Sequence, residues 1–228
     1  MSEPALLILE TSGRSGEVAL GRGVDLIARR ALSQSRRHAR DLVPFVQQML
    51  QEQGWRPGDL NGVIVSIGPG SYTGLRVGIM SAKVLAYAIE CPIVGIQTFE
   101  VIANQAPESM QLVDVISDAQ QEKVYVQTFE LSAGRKAVSE LRILTVQEWL
   151  SQRDSDAGVS GPGVGVYLEQ IPDSVEIVEE ELRKPGAETL LKLGAERLKR
   201  EEHSDVWALE PIYLRPSADA EQWDRKKS

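Results

Sequence analysis

Residues 62–90 read GVIVSIGPGSYTGLRVGIMSAKVLAYAIE, and this stretch decides the fold class. Residues 62–67 (GVIVSI) form a continuous apolar run, the pattern of a strand covered on both faces. Residues 68–74 (GPGSYTG) form a loop. Pro69 and Gly70 suit the centre of a tight turn, with Pro presetting φ and Gly70 taking φ > 0. Ser71 or Thr73 can then cap a helix predicted from about Leu75 to Glu90. A buried strand passing through a Gly-rich turn into a helix marks an α/β protein. The loop Gly68, Pro69, Gly70, Ser71, Tyr72 and Thr73 also presents free amides at a helix N-terminus, a generic anion site. It lacks a Gly-Lys-Ser/Thr ending, so it is no P-loop, and a structural turn is the competing reading.

Between Val77 and Ile89 only Lys83 is charged, and apolar side chains point in every direction. A helix that is apolar all round must be covered all round. Gly74, Gly78, Ala82 and Ala86 form a small-residue row at i, i+4, which would admit a second helix, with Leu75 and Ile79 supplying apolar area beside it. The expectation is a subunit contact, shared with Leu42, Val46 and Met49 of a preceding amphipathic helix at 39–53. A large side chain in the row is then expected to hold the partners apart. The competing reading is that a second domain of the same chain covers this face.

Working outward, residues 5–10 (ALLILE), 16–21 and 24–31 read as strands in two short hairpins. Residues 92–96 give another buried strand, and Thr98 opens a helix ending near Pro107. The pattern then restarts: strands at 112–117, 123–131 and 137–143, a helix from Thr145 to Gln152, and a short strand at 157–160. A strand at 175–178 and a helix at 186–202 complete it. The duplicated order predicts two α/β units, divided near Pro107 into 1–106 and 107–228.

The chain has 228 residues and carries 33 acids against 25 bases, a net charge of −8. Phosphate-dominated nucleic-acid binding needs a basic face, so a partner is expected to supply most of any grip on RNA. Arg36, Arg37, His38 and Arg40 make a local basic run, a possible RNA or anion contact, although a solvated loop explains it as well. Two distant histidines and a single cysteine, Cys91, give no zinc or iron spacing, so no metal or other cofactor is expected. Cys91 reads as a structural thiol. Asp118, at the end of a predicted strand, could reach a cleft or simply close a turn. No basic leader precedes the five apolar residues 5–9, and no uncharged run approaches the ~18–20 residues that span a bilayer. The expectation is a cytoplasmic protein without a membrane anchor.

These motifs resemble the TsaB (YeaZ) family. Residues 68–78 (GPGSYTGLRVG) are similar to its signature, and weaker matches occur in order at 6–12, His38, 95–100 (GIQTFE), 118–125 and 210–215. The resemblance implies two tandem RNase H-like units in the actin-like ATPase (ASKHA) arrangement. It implies a non-catalytic scaffold that binds the catalytic TsaD subunit, with TsaE, an ATPase, joining to modify a tRNA adenosine beside the anticodon. It also implies self-association when TsaD is absent, and tRNA contact through the complex. Related ATPases carry Asp at the end of the first strand, where this sequence has Glu10; the longer side chain speaks against nucleotide hydrolysis. The alternative is an independent actin-like ATPase or peptidase-like hydrolase.

Overall fold

The computed structural model describes residues 3–32, 38–132 and 134–214. Its first sheet contains β1 (Ala5–Glu10), β2 (Glu17–Arg22), β3 (Asp25–Ala31), β4 (Gly62–Ser66) and β5 (Ile93–Ile96), in the order β3-β2-β1-β4-β5. The first three strands form an antiparallel meander, while β4 runs parallel to β1 and β5 parallel to β4. Leu7, Leu9, Val63 and Val65 face the helices α1 (His38–Glu52) and α2 (Tyr72–Ala88). Leu6, Ile8, Ile64 and Val94 face Leu190 and Leu191 of α6 (Ala187–Lys199) on the other side. Both residue parities of β1 and β4 are therefore buried, which is why those strands read as unbroken apolar runs.

Helix α3 (Thr98–Gln105) leads into a second sheet of β6 (Leu112–Asp118), β7 (Lys123–Glu130), β8 (Lys136–Ala137), β9 (Arg142–Thr145) and β10 (Ala157–Ser160). The order is β10-β6-β7-β8, with β9 also paired to β7 and β10 parallel to β6. Phe99, Ile102 and Ala103 of α3 pack on Val113, Val115 and Phe129. Trp149 of α4 (Val146–Gln152) and Val164 of α5 (Val164–Tyr167) pack on the opposite face with Ile116, Val124 and Val126. Behind that face Asp114 is buried, accepting from the Thr128 hydroxyl at 2.7 Å and the Trp149 indole N–H at 2.9 Å.

Several expectations change. The strand predicted at 137–143 divides into β8 and β9, because the Ser139 hydroxyl replaces a main-chain acceptor and takes the Thr128 N–H at 2.8 Å. The strand predicted at 175–178 reduces to one parallel bridge, Ile177 to Val159. Helix α2 starts at Tyr72, three residues early, since Ser71 Oγ accepts the Gly74 N–H at 3.2 Å as N-cap. Contacts also run across the expected division into 1–106 and 107–228. Helix α6 covers the first sheet, and the chain then runs back along it: Ser204 N donates to Ile93 O and Ile212 N to Ile67 O, both at 2.8 Å. The second apolar face of the first sheet is thus covered by Ala187, Leu190 and Leu191 of α6 together with Val101 of α3.

Candidate partner interface

The site is built on the turn that follows β1. Ser71 N donates to Ser12 O at 2.7 Å, tying the start of α2 to that turn. A side chain on Gly74 would collide with the Thr11 carbonyl oxygen, and one on Gly78 with the Thr11 hydroxyl. Ala82 and Ala86 continue the row and are buried, as are Leu75 and Ile79. Within the chain, the row Gly74, Gly78, Ala82, Ala86 lets α2 lie against the β1 turn and the first sheet. On α1, Leu42, Val46 and Met49 are likewise buried in this core. All nine residues expected at a subunit contact are buried within the chain itself.

The loop departs from expectation too. Gly68, not Gly70, adopts positive φ (+106°), ahead of a cis bond to Pro69. Gly70 is needed for closeness, since a Cβ there would meet Ser12 O. Gly68 N donates to Thr98 Oγ1 at 3.1 Å, and Ser71 and Gly74 also have their N–H groups bonded within the protein. Three amides expected to be available to an anion therefore bond to the chain itself. Arg36 and Arg37 lie outside the described residues. His38 opens α1, and Arg40 is exposed and paired with Asp41 at 3.0 Å.

The apolar side chains that remain exposed on α2 form a stripe on the side of the helix away from the small row. Met80, Val84 and Tyr87, at i, i+4 and i+7, are 61 %, 61 % and 63 % exposed, and Val43 of α1 is 60 % exposed. Between the helices runs a groove of ≈ 280 Å³ with Leu42 and Val46 in its wall beside Val43, Met80, Val84 and Ala88. No acidic residue occurs anywhere in α2, in a chain with 33 acids. The spacing of Met80, Val84 and Tyr87 is legible in the sequence, whereas their exposure depends on what packs against the opposite side of α2.

The returning segment 204–214 flanks α2 opposite α1. Lys83 Nζ donates to the carbonyls of Trp207 and Leu209 at 3.0 and 3.2 Å. Trp207 meets Tyr87 edge-on with ring centroids 5.2 Å apart, and the Arg76 guanidinium lies 4.1 Å from the Tyr72 ring and donates to the Tyr213 hydroxyl at 3.2 Å. Trp207, 71 % exposed, thereby joins the stripe through Tyr87, a contribution no local pattern foretold.

The candidate carboxylates serve turns. Glu10 is buried, and desolvation pushes it up to about 7 against its bonds from Ser12 and Ser66. Asp118 accepts from the Gln120 N–H and, at 2.7 Å, from the Tyr167 hydroxyl; burial first, then this bond, pushes that phenol up to about 12. The Cys91 thiol is half-buried, donates to Pro92 O, and is pushed up to about 11 by burial. Among the described residues no group of three His, Cys, Asp or Glu side chains could hold a metal ion, and no helix is long and apolar enough to cross a membrane.

A mixed α/β pair of sheets, with an apolar groove between two helices on the first of them, defines the class of protein this is. A family model described as "TsaD: tRNA N6-adenosine threonylcarbamoyltransferase" matches residues 25–223. The chain belongs to that family, and its relatives there are TsaB (YeaZ) proteins. It is 27 % identical to the tRNA threonylcarbamoyladenosine biosynthesis protein TsaB of Bacillus subtilis (strain 168), over 96 % of this chain and 97 % of that one. It is 27 % identical to TsaB of Escherichia coli (strain K12), over 92 % and 94 %. The solved structure of YeaZ from Pseudomonas aeruginosa superposes with a TM-score of 0.80 at 27 % identity, covering 92 % of this chain and all of that one.

Proposed function

We propose that this chain is a non-catalytic docking subunit in the threonylcarbamoyl modification of tRNA adenosine next to the anticodon. Its α1–α2 face receives the catalytic TsaD subunit, a TsaE-type ATPase joins the assembly, and tRNA is engaged through the complex in the cytoplasm. When the catalytic partner is missing, the same face pairs two copies of the chain. One observation carries this reading: an acid-free stripe of Met80, Val84 and Tyr87, beside Val43, left open to solvent on a strongly acidic protein. Contiguous apolar area of this kind marks an interaction site. The common order of the two sheets, an antiparallel meander with a parallel strand beside its first member, supports tandem RNase H-like units in the actin-like ATPase arrangement.

Met80→Asp and Val84→Glu test the docking face. Both side chains are exposed, so each variant should unfold within about 0.5 kcal/mol of the native chain. Each should fail to co-purify with the catalytic subunit and should stay monomeric alone. Undiminished pairing by both would reject the reading. The isolated chain, assayed for ATP turnover and peptide cleavage, should show neither. Robust turnover lost on Glu10→Gln or Asp118→Asn would establish the independent hydrolase instead.

A further inference from the structure

On the opposite side of the first sheet from α2 lies a carboxylate that is only 1 % exposed, Glu10 at the end of β1. Its Oε1 accepts from the Ser12 main-chain N–H at 2.8 Å, the Ser12 hydroxyl at 2.5 Å and the Ser66 hydroxyl at 3.1 Å. Three donors converging on one oxygen set the path of the chain through residues 11 and 12. That path is the seat of α2. The Thr11 carbonyl fills the space left at Gly74, its hydroxyl fills the space at Gly78, and Ser12 O holds Ser71 N. Thr11 Oγ1 is buried without a hydrogen-bond partner, so packing against α2 is what occupies it.

We propose that Glu10 is a positioning residue for the docking helix: its ionised carboxylate draws the 11–12 turn into the seat that sets the depth of α2, and so tunes the affinity of the docking face. The inference rests on the docking role of α1 and α2 proposed above. From β2, the cross-strand neighbour Glu17 opposes ionisation, and its own carboxylate accepts from Ala187 N of α6. From β4 comes the neutral Ser66. The helices covering this face, α3 and α6, bring Glu100 and Glu188, each already paired with a base, Arg197 and Lys192. Burial places the titration of Glu10 at about 7. Ionised acceptors make the shorter and stronger hydrogen bonds, so docking should tighten as the pH rises through that value.

The test measures association of the full chain with its catalytic partner, or with itself, as a function of pH. Native chain should bind at least about threefold more tightly at pH 8 than at pH 6 after common effects are removed by comparison with Glu10→Gln, which keeps the acceptor oxygen but cannot titrate. The variant should lack this component. Hydrogen exchange of amides 74–78 should slow over the same pH interval in the native chain relative to the variant. Identical pH profiles in the two proteins, with Met80→Asp still abolishing association, would overturn the inference and leave the docking role standing. If Met80→Asp leaves association intact, the docking role itself fails. Exchange at 74–78 then decides the seat: a difference between native and Glu10→Gln supports it, and no difference ends it.

Discussion

Glu10 shows how a single buried residue imposes a sign on stability. Its carboxyl ionises near 7 in the folded chain against 4.5 when free, so the folded state holds the proton more tightly than the unfolded state does. The resulting penalty is absent below about 4.5, grows as the pH rises, and levels off above about 7, reaching on the order of 3 kcal/mol. Urea unfolding at a series of pH values should therefore show Glu10→Gln gaining stability relative to the native chain from pH 5 to 8. A constant difference across that range would mean the carboxyl titrates near its ordinary value. At Ala82 the expectation from sequence reverses. This side chain is 0 % exposed against its own sheet, so Ala82→Trp should unfold the domain or cost at least the ~1–3 kcal/mol of overpacking, not yield a sound monomer. A melting temperature within a degree or two of native would contradict the packing described.

At the scale of elements, α2 is held by contacts of two kinds. Its inward row follows from local composition: Gly and Ala at i, i+4 can approach a backbone closely wherever one is present. Its flank is held by a segment more than 120 residues away in sequence, through the Lys83 bonds to the Trp207 and Leu209 carbonyls. A hydrogen bond to a charged group contributes about 1.5–3 kcal/mol net, less where it is exposed. Lys83→Met should release 204–214: amide exchange there should rise and Trp207 emission should shift to the red, with α1 unaffected. An unchanged exchange map would show that the segment is retained by its bonds to β5 and Ile67 alone.

For the whole molecule, the consequence is that the first unit is not a contiguous piece of chain. Leu190 and Leu191 of α6, both 0 % exposed, close the face formed by Leu6, Ile8, Ile64 and Val94. Each buried leucine is worth roughly 1.5–3 kcal/mol. A fragment of residues 1–106 would expose that face, and it should aggregate or remain without cooperative unfolding; adding residues 187–214 in trans should restore a folded, dispersed amide spectrum. Cooperative unfolding of the fragment alone would reject the shared architecture.

Sequence alone determined what local chemistry determines. The apolar runs at 5–10 and 62–66 had to be strands covered on both sides, Thr145 had to cap a helix, and the loop of residues 68–74 carried the family in its order of residues. It also determined that α2 needed cover all round. Only the tertiary structure decided what provides that cover on each side. Periodicity says which residues share a face of a helix, but not what lies opposite that face. Gly74 and Gly78 look the same in sequence whether what fills their space is a partner's helix or the chain's own Thr11. The same limit hid α6 and the 204–214 return. Their pairing with β1, β5 and Ile67 is a long-range choice, made by an uncovered apolar sheet face and by carbonyls within reach of Lys83, and neither leaves a mark in the neighbouring residues.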